Sequence, residues 1–344
     1  MKKLIALALA AVLALSLTAC ATPNPAPEAA PTAAPEEASS PLPSAAPEEE
    51  ADPTEVAVAG VDAEGAQIEV TVPYQPERVV VLDLANLDIL DNLGLGDCIV
   101  GAPTITLPYL QSYNDNLPIV GTVKTPDLEA VMACEPDLIL MGGRMAEYYD
   151  ELNEIAPTLR LTTVSDDGLV EAIRANAKTI GTIFGETEQV DALLAQYDAR
   201  IAALAAFAEG KTCVLGMSTS GSSDESESSE RGSGESGGHG SSGGSAEGSD
   251  SAGSTPTHGN EVSFEAIVAL NPAYIFVMDR DSAIGTSGAQ LASEIMENEL
   301  IMKTDAYQNG NLVILENPGI WYLAEGGITS LGIMLEDLES ALLQ

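Results

Sequence analysis

One eighteen-residue phrase occurs twice in this chain, and it limits the possible folds more than any other feature of the sequence. The first copy, DLEAVMACEPDLILMGGR, occupies 127–144, and the second, SFEAIVALNPAYIFVMDR, occupies 263–280. Six positions are identical in the two copies: Glu129 and Glu265, Ala130 and Ala266, Ala133 and Ala269, Pro136 and Pro272, Ile139 and Ile275, and Arg144 and Arg280. An internal repeat of this kind indicates that one structural unit is used twice.

Each copy of the phrase predicts a helix followed by a strand. The apolar spacing before the proline is helical, and the apolar run after it is typical of a buried strand. Helix-then-strand units form parallel sheets, in which ligands bind beyond the carboxyl ends of the strands. Arg144 and Arg280 end the two copies, so we predict two similar lobes with an arginine-lined cleft between them. The alternative is a chance recurrence of a proline-containing phrase in an α/β protein.

The rest of the chain extends this α/β pattern into two Rossmann-like lobes joined by one long helix. Apolar residues recur at helical spacing over 187–207, which predicts a helix roughly 30 Å long, enough to cross between lobes. The expected organisation is a signal peptide at 1–19, a disordered Ala/Pro/Glu tether at 20–66, an N-terminal lobe at 67–186, the inter-lobe helix at 187–209, and a C-terminal lobe at 210–344 that includes a low-complexity segment at 218–256.

The first twenty residues, MKKLIALALAAVLALSLTAC, have the charged start and the short apolar run of a signal peptide. The run is short for a permanent membrane span. Its end resembles a bacterial lipobox, which implies lipid attachment at Cys20 and an anchor on the extracytoplasmic face of the cell membrane. An ordinary secretory signal that contains a cysteine is the alternative. The tether that follows has too few large apolar residues to fold.

Cysteine content and charge exclude some classes of protein. Cys98, Cys134 and Cys213 remain after the signal peptide, and an odd number argues against a disulfide framework, so we expect three small buried residues. The formal net charge is −40, which excludes nucleic-acid binding by phosphate neutralisation. Only 13 Lys and Arg residues are present, which makes two arginines at strand ends more notable.

Several phrases together resemble one family. They are PERVVVLD, GRMAEYYDELNEIAPT, THGNEVSFE, NPAYIFVMDRDSAIG and WYLAEGG, spread in order from residue 76 to the C-terminus. They are similar to the siderophore and cobalamin class of ABC-transporter substrate-binding lipoproteins, and within it to the catecholate-siderophore, petrobactin-like branch. The resemblance implies the class III periplasmic binding protein fold. It also implies a tethered receptor that delivers a ferric siderophore to an ABC importer.

The resemblance assigns ligand contacts residue by residue. It places Arg144 and Arg280 in the cleft, facing an anionic ligand, because guanidinium groups suit the oxygens of iron(III) catecholates. The alternative is that both arginines pair with nearby carboxylates such as Asp279 or Glu147.

The resemblance also marks two residues that complete the coordination of siderophore-bound iron in some relatives. Here they fall on His258 and Tyr322, which would ligate iron when the siderophore leaves two positions vacant. The alternative is that they line the cleft without touching metal. Trp321 adjoins Tyr322 and is expected to report cleft occupancy. No intrinsic cofactor is expected.

The sequence departs from the family within 218–256, where a tract of Ser, Gly and acidic residues replaces an apolar segment. The third cleft arginine of the family has no secure counterpart, because nothing around Arg231 fixes its position. His239 in the same tract receives no role. The departure puts affinity and selectivity in doubt more than the identity of the family.

Expected partners are the importer's permease and ATPase. Relatives dock on the permease through one surface glutamate in each lobe, and Glu147 and Glu265 are the candidates, with Glu129 as the repeat equivalent of Glu265. Haem or cobalamin on the same scaffold, or a surface adhesion or structural lipoprotein on a degenerate scaffold, are the alternative functions. Two histidines are too few for a multi-histidine zinc or manganese site, and no catalytic motif indicates an enzyme.

Overall fold

The computed structural model describes residues 53–165, 167–219 and 263–343. The described strands are β1 (Glu55–Val61), β2 (Gln67–Pro73), β3 (Val79–Val81), β4 (Ile99–Gly101), β5 (Leu138–Met141), β6 (Thr158–Arg160), β7 (Cys213–Ser218), β8 (Tyr274–Asp279) and β9 (Leu312–Ile314). The described α-helices are α1 (Leu84–Asn92), α2 (Ser112–Asn116), α3 (Leu128–Ala133), α4 (Tyr149–Ile155), α5 (Leu169–Phe184), α6 (Thr187–Ala208), α7 (Phe264–Leu270), α8 (Arg280–Ile284), α9 (Ala292–Met296), α10 (Asp305–Gln308), α11 (Pro318–Leu323) and α12 (Ile328–Leu342). Short 3₁₀ helices occupy Gly96–Cys98, Pro108–Leu110, Gly143–Tyr148 and Ile301–Lys303.

Two parallel sheets form the two lobes. The first has the strand order β4-β3-β5-β6, and the second has the order β7-β8-β9. Both faces of the central strands are covered. In β8, for example, Phe276 and Met278 join the main core while Ile275 and Val277 join a separate core with α7 and α9. This two-sided burial explains why the sequence of β8 is continuously apolar.

The repeated phrase forms the same unit in both lobes, as predicted. Asp127 and Ser263 are the equivalent N-caps of α3 and α7, and each side chain accepts a hydrogen bond from the third residue of its helix. Each helix is followed by a strand, β5 or β8, and the terminal arginine lies just beyond that strand or at its end.

The backbone repeats as well. Glu135 and Asn271, the residues before the two prolines, hold equivalent left-handed conformations, with φ of 46° and 40°. This shared conformation is uncommon for residues other than glycine, and its occurrence at matching positions argues against chance recurrence of the phrase.

The tether was predicted to extend to Ala66, and the structure corrects this boundary. Residues 55–61 form β1, which pairs antiparallel with β2 and packs on β6 and α5. Apolar residues at alternate positions supply the buried face of β1, including Val58 at 7 % exposure. Pairing with β2 and burial of this face order a segment whose Ala- and Glu-rich surroundings suggested disorder. Residues 20–52 lie outside the described part of the chain.

Helix α6 has the predicted extent and runs from the end of α5 towards β7, the first strand of the second sheet. A second connection was not predicted. The terminal helix α12 belongs by sequence to the C-terminal lobe, 210–344, but it packs against α1 and α6. Helix α11, just before it, packs against α8 and β8 of the second lobe. The chain therefore crosses between the lobes again, at 324–327.

A continuous apolar core runs through both lobes beneath these crossings. It combines α1, α5 and α6 with residues of β8, α8, α11 and α12. Cys134 is buried and Cys98 is half-buried, in line with their apolar settings, but the expectation of a buried Cys213 was wrong. Cys213 begins β7, at the edge of the described second sheet, and is exposed. Ser218 ends β7, and the low-complexity residues from 220 to 256 lie outside the described residues.

Candidate functional site

Arg144 lies just past the carboxyl end of β5, in the 3₁₀ segment that begins at Gly143. Gly142 follows the last residue of the strand, and the carboxylate of Asp83 lies against its backbone, where a Cβ atom would overlap Asp83 Oδ2. Asp83 itself follows β3 and caps α1, because its Oδ1 accepts the N–H groups of Ala85 and Asn86 at 3.0 and 3.1 Å. A glycine at 142 is therefore what allows this carboxylate to approach the arginine segment.

Arg280 stands at the equivalent place in the second lobe. Its position is fixed by Asp279, which ends β8 and accepts the N–H groups of Ser282 and Ala292, both at 2.9 Å. Desolvation raises the pKa of Asp279, but these hydrogen bonds outweigh it and leave the pKa below the usual value. Arg280 pairs with the buried Asp281, with 3.7 Å between Nη1 and Oδ1. The carboxylate partner is therefore Asp281, and not Asp279 as in the alternative weighed above.

Tyr322 joins the two arginines. It lies on α11, is 5 % exposed, and its phenol oxygen accepts a hydrogen bond from Arg280 Nε at 3.3 Å. Arg144 donates through Nη2 to the backbone carbonyl of Tyr322. The two guanidinium carbons lie 5.2 Å (Arg144) and 5.7 Å (Arg280) from the centre of the tyrosine ring, within range of cation–π attraction. The structure thus brings together three of the predicted site residues, one from each repeat and one from α11.

The protein does not satisfy every hydrogen-bond donor of the Arg144 guanidinium. Its buried Nε atom has no hydrogen-bond partner within the described ranges. Buried charged donors are normally satisfied, because an unpaired donor loses its hydration without compensation. A donor of this kind in a cleft can donate a hydrogen bond to an oxygen of a bound anion.

Two carboxyl groups close to Arg144 were not identified from the sequence. Desolvation raises the pKa of Asp83, although its two backbone hydrogen bonds and the charge of Arg144 oppose this. Glu325 follows Tyr322 by three residues, and desolvation raises its pKa to about 7, opposed by the charge of Arg144 and a bond from Thr163. The signals available in the sequence were an aspartate at a strand end and a glutamate before Gly326 and Gly327.

Trp321 does not join the arginines. Because it is adjacent to Tyr322 on a helix, it points in a different direction, and its Nε1 donates to Asp337 of α12 at 2.9 Å. Asp337 also accepts from the backbone and side chain of Asn317, at 3.2 and 2.6 Å, so Trp321 belongs to the contact between α11 and α12. It also lines a separate cavity of about 1110 Å³ beside β7, β8 and α7.

The remaining predicted site residues either lie apart from this cluster or fall outside the residues that the structure describes. Glu147, Glu265 and Glu129 are exposed, and the last two occupy equivalent first turns of α7 and α3. His258 and Cys20 lie outside the described residues. Within the ranges that the structure covers, no group of three or more His, Cys, Asp or Glu side chains could hold a metal ion, and no helix is both long and apolar enough to cross a membrane.

The fold and the sequence together define the class of this protein. A model of the periplasmic binding protein family matches residues 79–318, so the chain belongs to that family and is a solute-binding protein of the class III type, not an enzyme. This agrees with the two parallel-sheet lobes, the long joining helix and a polar cluster at the carboxyl ends of strands.

Curated relatives match most of the chain. The petrobactin-binding protein YclQ of Bacillus subtilis is 33 % identical over 79 % of this chain and 84 % of its own length. The ferric-anguibactin-binding protein FatB of Vibrio anguillarum is 27 % identical over 78 % of this chain and 84 % of its own length.

Solved structures show the same architecture. The crystal structure of YclQ superposes with a TM-score of 0.66, at 29 % identity, over 84 % of this chain and 99 % of that one. The catecholate-siderophore-binding protein VctP of Vibrio cholerae also gives 0.66, at 27 % identity, over 83 % of this chain and 100 % of its own. The predicted two-lobe fold is therefore confirmed.

Proposed function

We propose that this protein captures a ferric catecholate siderophore between its lobes and delivers it to an ABC importer. One observation carries the proposal: Arg144 and Arg280 come from equivalent positions of the two lobes and both bind Tyr322. Arg144 donates to its backbone carbonyl, and Arg280 donates to its hydroxyl. Iron(III) catecholates present several negatively charged oxygens, and guanidinium groups bind such oxygens with charge-assisted hydrogen bonds. Similarity to proteins named for petrobactin, anguibactin and catecholate siderophores supports this class of cargo.

The bound ligand takes over contacts that Tyr322 now makes. The hydroxyl of Tyr322 accepts a hydrogen bond from Arg280, and its backbone carbonyl accepts one from Arg144. An anionic chelate offers stronger acceptors than a neutral phenol and an amide carbonyl, so exchange of these partners favours binding. Direct ligation of iron by the Tyr322 oxygen, together with His258, is part of the proposal for siderophores that leave two coordination positions open.

The experiment is a calorimetric titration of the protein with ferric petrobactin, using free iron as the control ligand. Arg144→Ala and Arg280→Ala should each weaken binding by ~1.5–3 kcal/mol, the value of a hydrogen bond to a charged group. Arg174→Ala is the matched control, because it removes the same charge from an exposed ion pair with Asp198. Equal losses in all three variants would contradict the proposed site.

Iron ligation has its own readout in the same titration. Tyr322→Phe keeps the ring but removes the phenol oxygen. It should weaken a tetradentate ferric complex more than a hexadentate one, since only the tetradentate complex leaves iron positions vacant. Equal weakening of the two complexes would show that Tyr322 only lines the cleft.

Delivery requires two further contacts, which we also propose. Cys20 carries a lipid that holds the protein on the extracytoplasmic face of the cell membrane, and two relatives are named lipoproteins. The exposed Glu147 and Glu265 dock on the permease. Glu129 is the alternative to Glu265, because the repeat places it on an equivalent first turn.

A further inference from the structure

Glu325 lies next to two glycines that pack tightly against the first lobe. It lies in the segment 324–327 that connects α11 to α12, where the chain crosses between the lobes. The next two residues are held tightly against the first lobe. A Cβ atom at Gly326 would come within 2.7 Å of Thr163 and 2.9 Å of Ala85, and one at Gly327 would overlap the carboxylate of Asp88. The backbone beside Glu325 therefore has little freedom to move its side chain away from the first lobe.

Charged groups reach Glu325 from several elements. Arg144 approaches from the segment after β5, Asp83 from the start of α1, and the loop after β6 contributes the hydroxyl of Thr163. Asp88 of α1 lies farther along, where its carboxylate is bound by the first turn of α12. Helix α11 and the first turn of α12 carry no charged side chain, and Arg280 with Asp281 lies on the other side of Tyr322.

The charge of one guanidinium, that of Arg144, thus acts on two carboxyl groups. If both carboxyls are ionised, the group formed by Arg144, Asp83 and Glu325 carries a net charge of about −1, which repels an anionic ligand. If one carboxyl is protonated, the group is neutral and Arg144 is open to an external oxygen. Among the described residues no ion pair within 4.0 Å ties Arg144 to either carboxylate, so the arginine is not already committed to them.

Of the two carboxyl groups, Glu325 is the better proton carrier. Desolvation raises the pKa of Asp83 as well, but Asp83 is the N-cap of α1, where a proton on its carboxyl would weaken two backbone hydrogen bonds that favour the ionised form. The charge of Arg144, the backbone N–H of Glu325 and the Thr163 hydroxyl all favour ionised Glu325, but desolvation outweighs them and raises its pKa to about 7. A carboxyl group with this pKa is half protonated at neutral pH, so a nearby anion can change the fraction that is protonated.

On this geometry, and resting on the proposed function, we propose that Glu325 is a specificity-determining residue of the cleft. Its protonated form admits an anionic chelate at Arg144, and its ionised form excludes it. Capture at alkaline pH therefore takes up one proton from solvent on the Glu325 carboxylate. By linkage, a ligand of higher negative charge is more dependent on this proton, whereas a neutral ligand is indifferent to it.

The test is the affinity for ferric petrobactin between pH 6 and pH 8 in the parent protein, Glu325→Gln, Asp83→Asn and Glu188→Gln. Glu188 is an exposed glutamate on α6 and serves as the matched control. With a pKa of about 7, affinity of the parent should fall about tenfold over this range, beyond the change shown by Glu325→Gln. The glutamine imitates the protonated carboxyl, so this variant should bind at pH 8 about as well as the parent binds at pH 6. The comparison also removes any titration of the ligand itself, because the ligand is the same in all variants.

Two measurements keep the outcomes distinct. Calorimetry at pH 8 in buffers of different ionisation enthalpy should show uptake of about 0.9 proton by the parent and almost none by Glu325→Gln. Carbon NMR of the Glu325 carboxyl in the ligand-free protein should show titration near neutral pH. A carboxyl that titrates below pH 5, or an Asp83→Asn variant that alone loses the pH dependence, overturns the proposal. Strong binding with equal pH dependence in parent and Glu325→Gln overturns the role of Glu325 but leaves the proposed function standing. If there is no binding at any pH while the NMR titration is as expected, the proposed cargo and the proton uptake are both overturned.

Discussion

Replacement of Gly327 by alanine tests how the terminal helix is fixed to the first lobe. Gly327 is the N-cap of α12, with a φ of −87° that any residue can adopt, so alanine adds no backbone strain there. Its Cβ atom, however, would overlap Asp88 Oδ2 and would lie only 2.5 Å from Asp88 Cγ. That oxygen accepts hydrogen bonds from Ser330 N, Ser330 Oγ and the Tyr109 hydroxyl at 2.9, 2.8 and 3.0 Å.

The cost follows from these three hydrogen bonds. Asp88 is fully buried, and real Cβ contacts are essentially never shorter than 3.0 Å, so the carboxylate or the start of α12 must move by about 1 Å. A shift of this size weakens all three bonds, and bonds to a charged group contribute about 1.5–3 kcal/mol each. With partial re-formation, we expect Gly327→Ala to lower the free energy of unfolding by about 3–5 kcal/mol. For a chain of this size the midpoint of thermal unfolding should fall by roughly 6–15 °C.

The assay is urea and thermal unfolding of Gly327→Ala, Asp88→Ala and the double variant. Asp88→Ala removes the atom that the new methyl group strikes, so Gly327→Ala should cost little in that background, and the cycle should show strong coupling. Gly319→Ala on α11 is the control, since its Cβ would meet Leu107 at an ordinary 3.6 Å. Additive effects in the cycle, or a loss below about 1 kcal/mol for Gly327→Ala, would refute the reasoning.

Two further changes test the ends of the chain. Glu339→Gln breaks a bidentate bridge from Arg200, at 2.8 and 2.7 Å, between α6 and α12, and should cost about 0.5–1 kcal/mol because both side chains are partly solvated. The hydrogen bond from Arg200 lowers the pKa of Glu339, so its contribution is present above the ordinary pKa of 4.5 and is lost as pH falls through the lowered value. Unfolding curves of parent and variant should therefore converge in acid, and a constant difference down to pH 2 would contradict this. Cys20→Ser should release the protein from the membrane fraction in cell fractionation, and retention as firm as that of the parent would disprove the lipid anchor.

The arginine positions could be predicted because they depend on local pattern. Each repeat carries its own helix cap, proline and apolar run, so the chain itself indicates where Arg144 and Arg280 leave their strands. The rule that ligands bind beyond the carboxyl ends of parallel strands then places both side chains in the cleft. The family resemblance added Tyr322, which spacing alone does not mark.

The carboxyl groups around Arg144 could not be predicted, because distant segments bring them together. Asp83 and Glu325 are far apart in sequence, and the raised pKa of Glu325 arises from burial that no local pattern records. The direction of Trp321 was missed for a similar reason, since its partner Asp337 lies on the next helix. The segment that forms β1 was assigned to the tether because the residues around it are rich in Ala, Pro and Glu. Its structure depends instead on its pairing with β2.

The position of α12 has a consequence for the order in which the molecule is completed. Asp88, near the start of the folded part, is bonded to Ser330, which lies 242 residues later in the chain. The face of α1 that α12 covers therefore stays open until nearly all of the polypeptide has emerged from the ribosome. A chain synthesised from its N-terminus at about 5–20 residues per second spends more than ten seconds in that incomplete state. For the export that the signal-peptide pattern predicts, delayed closure of the first lobe favours a conformation that can still be threaded through a membrane channel.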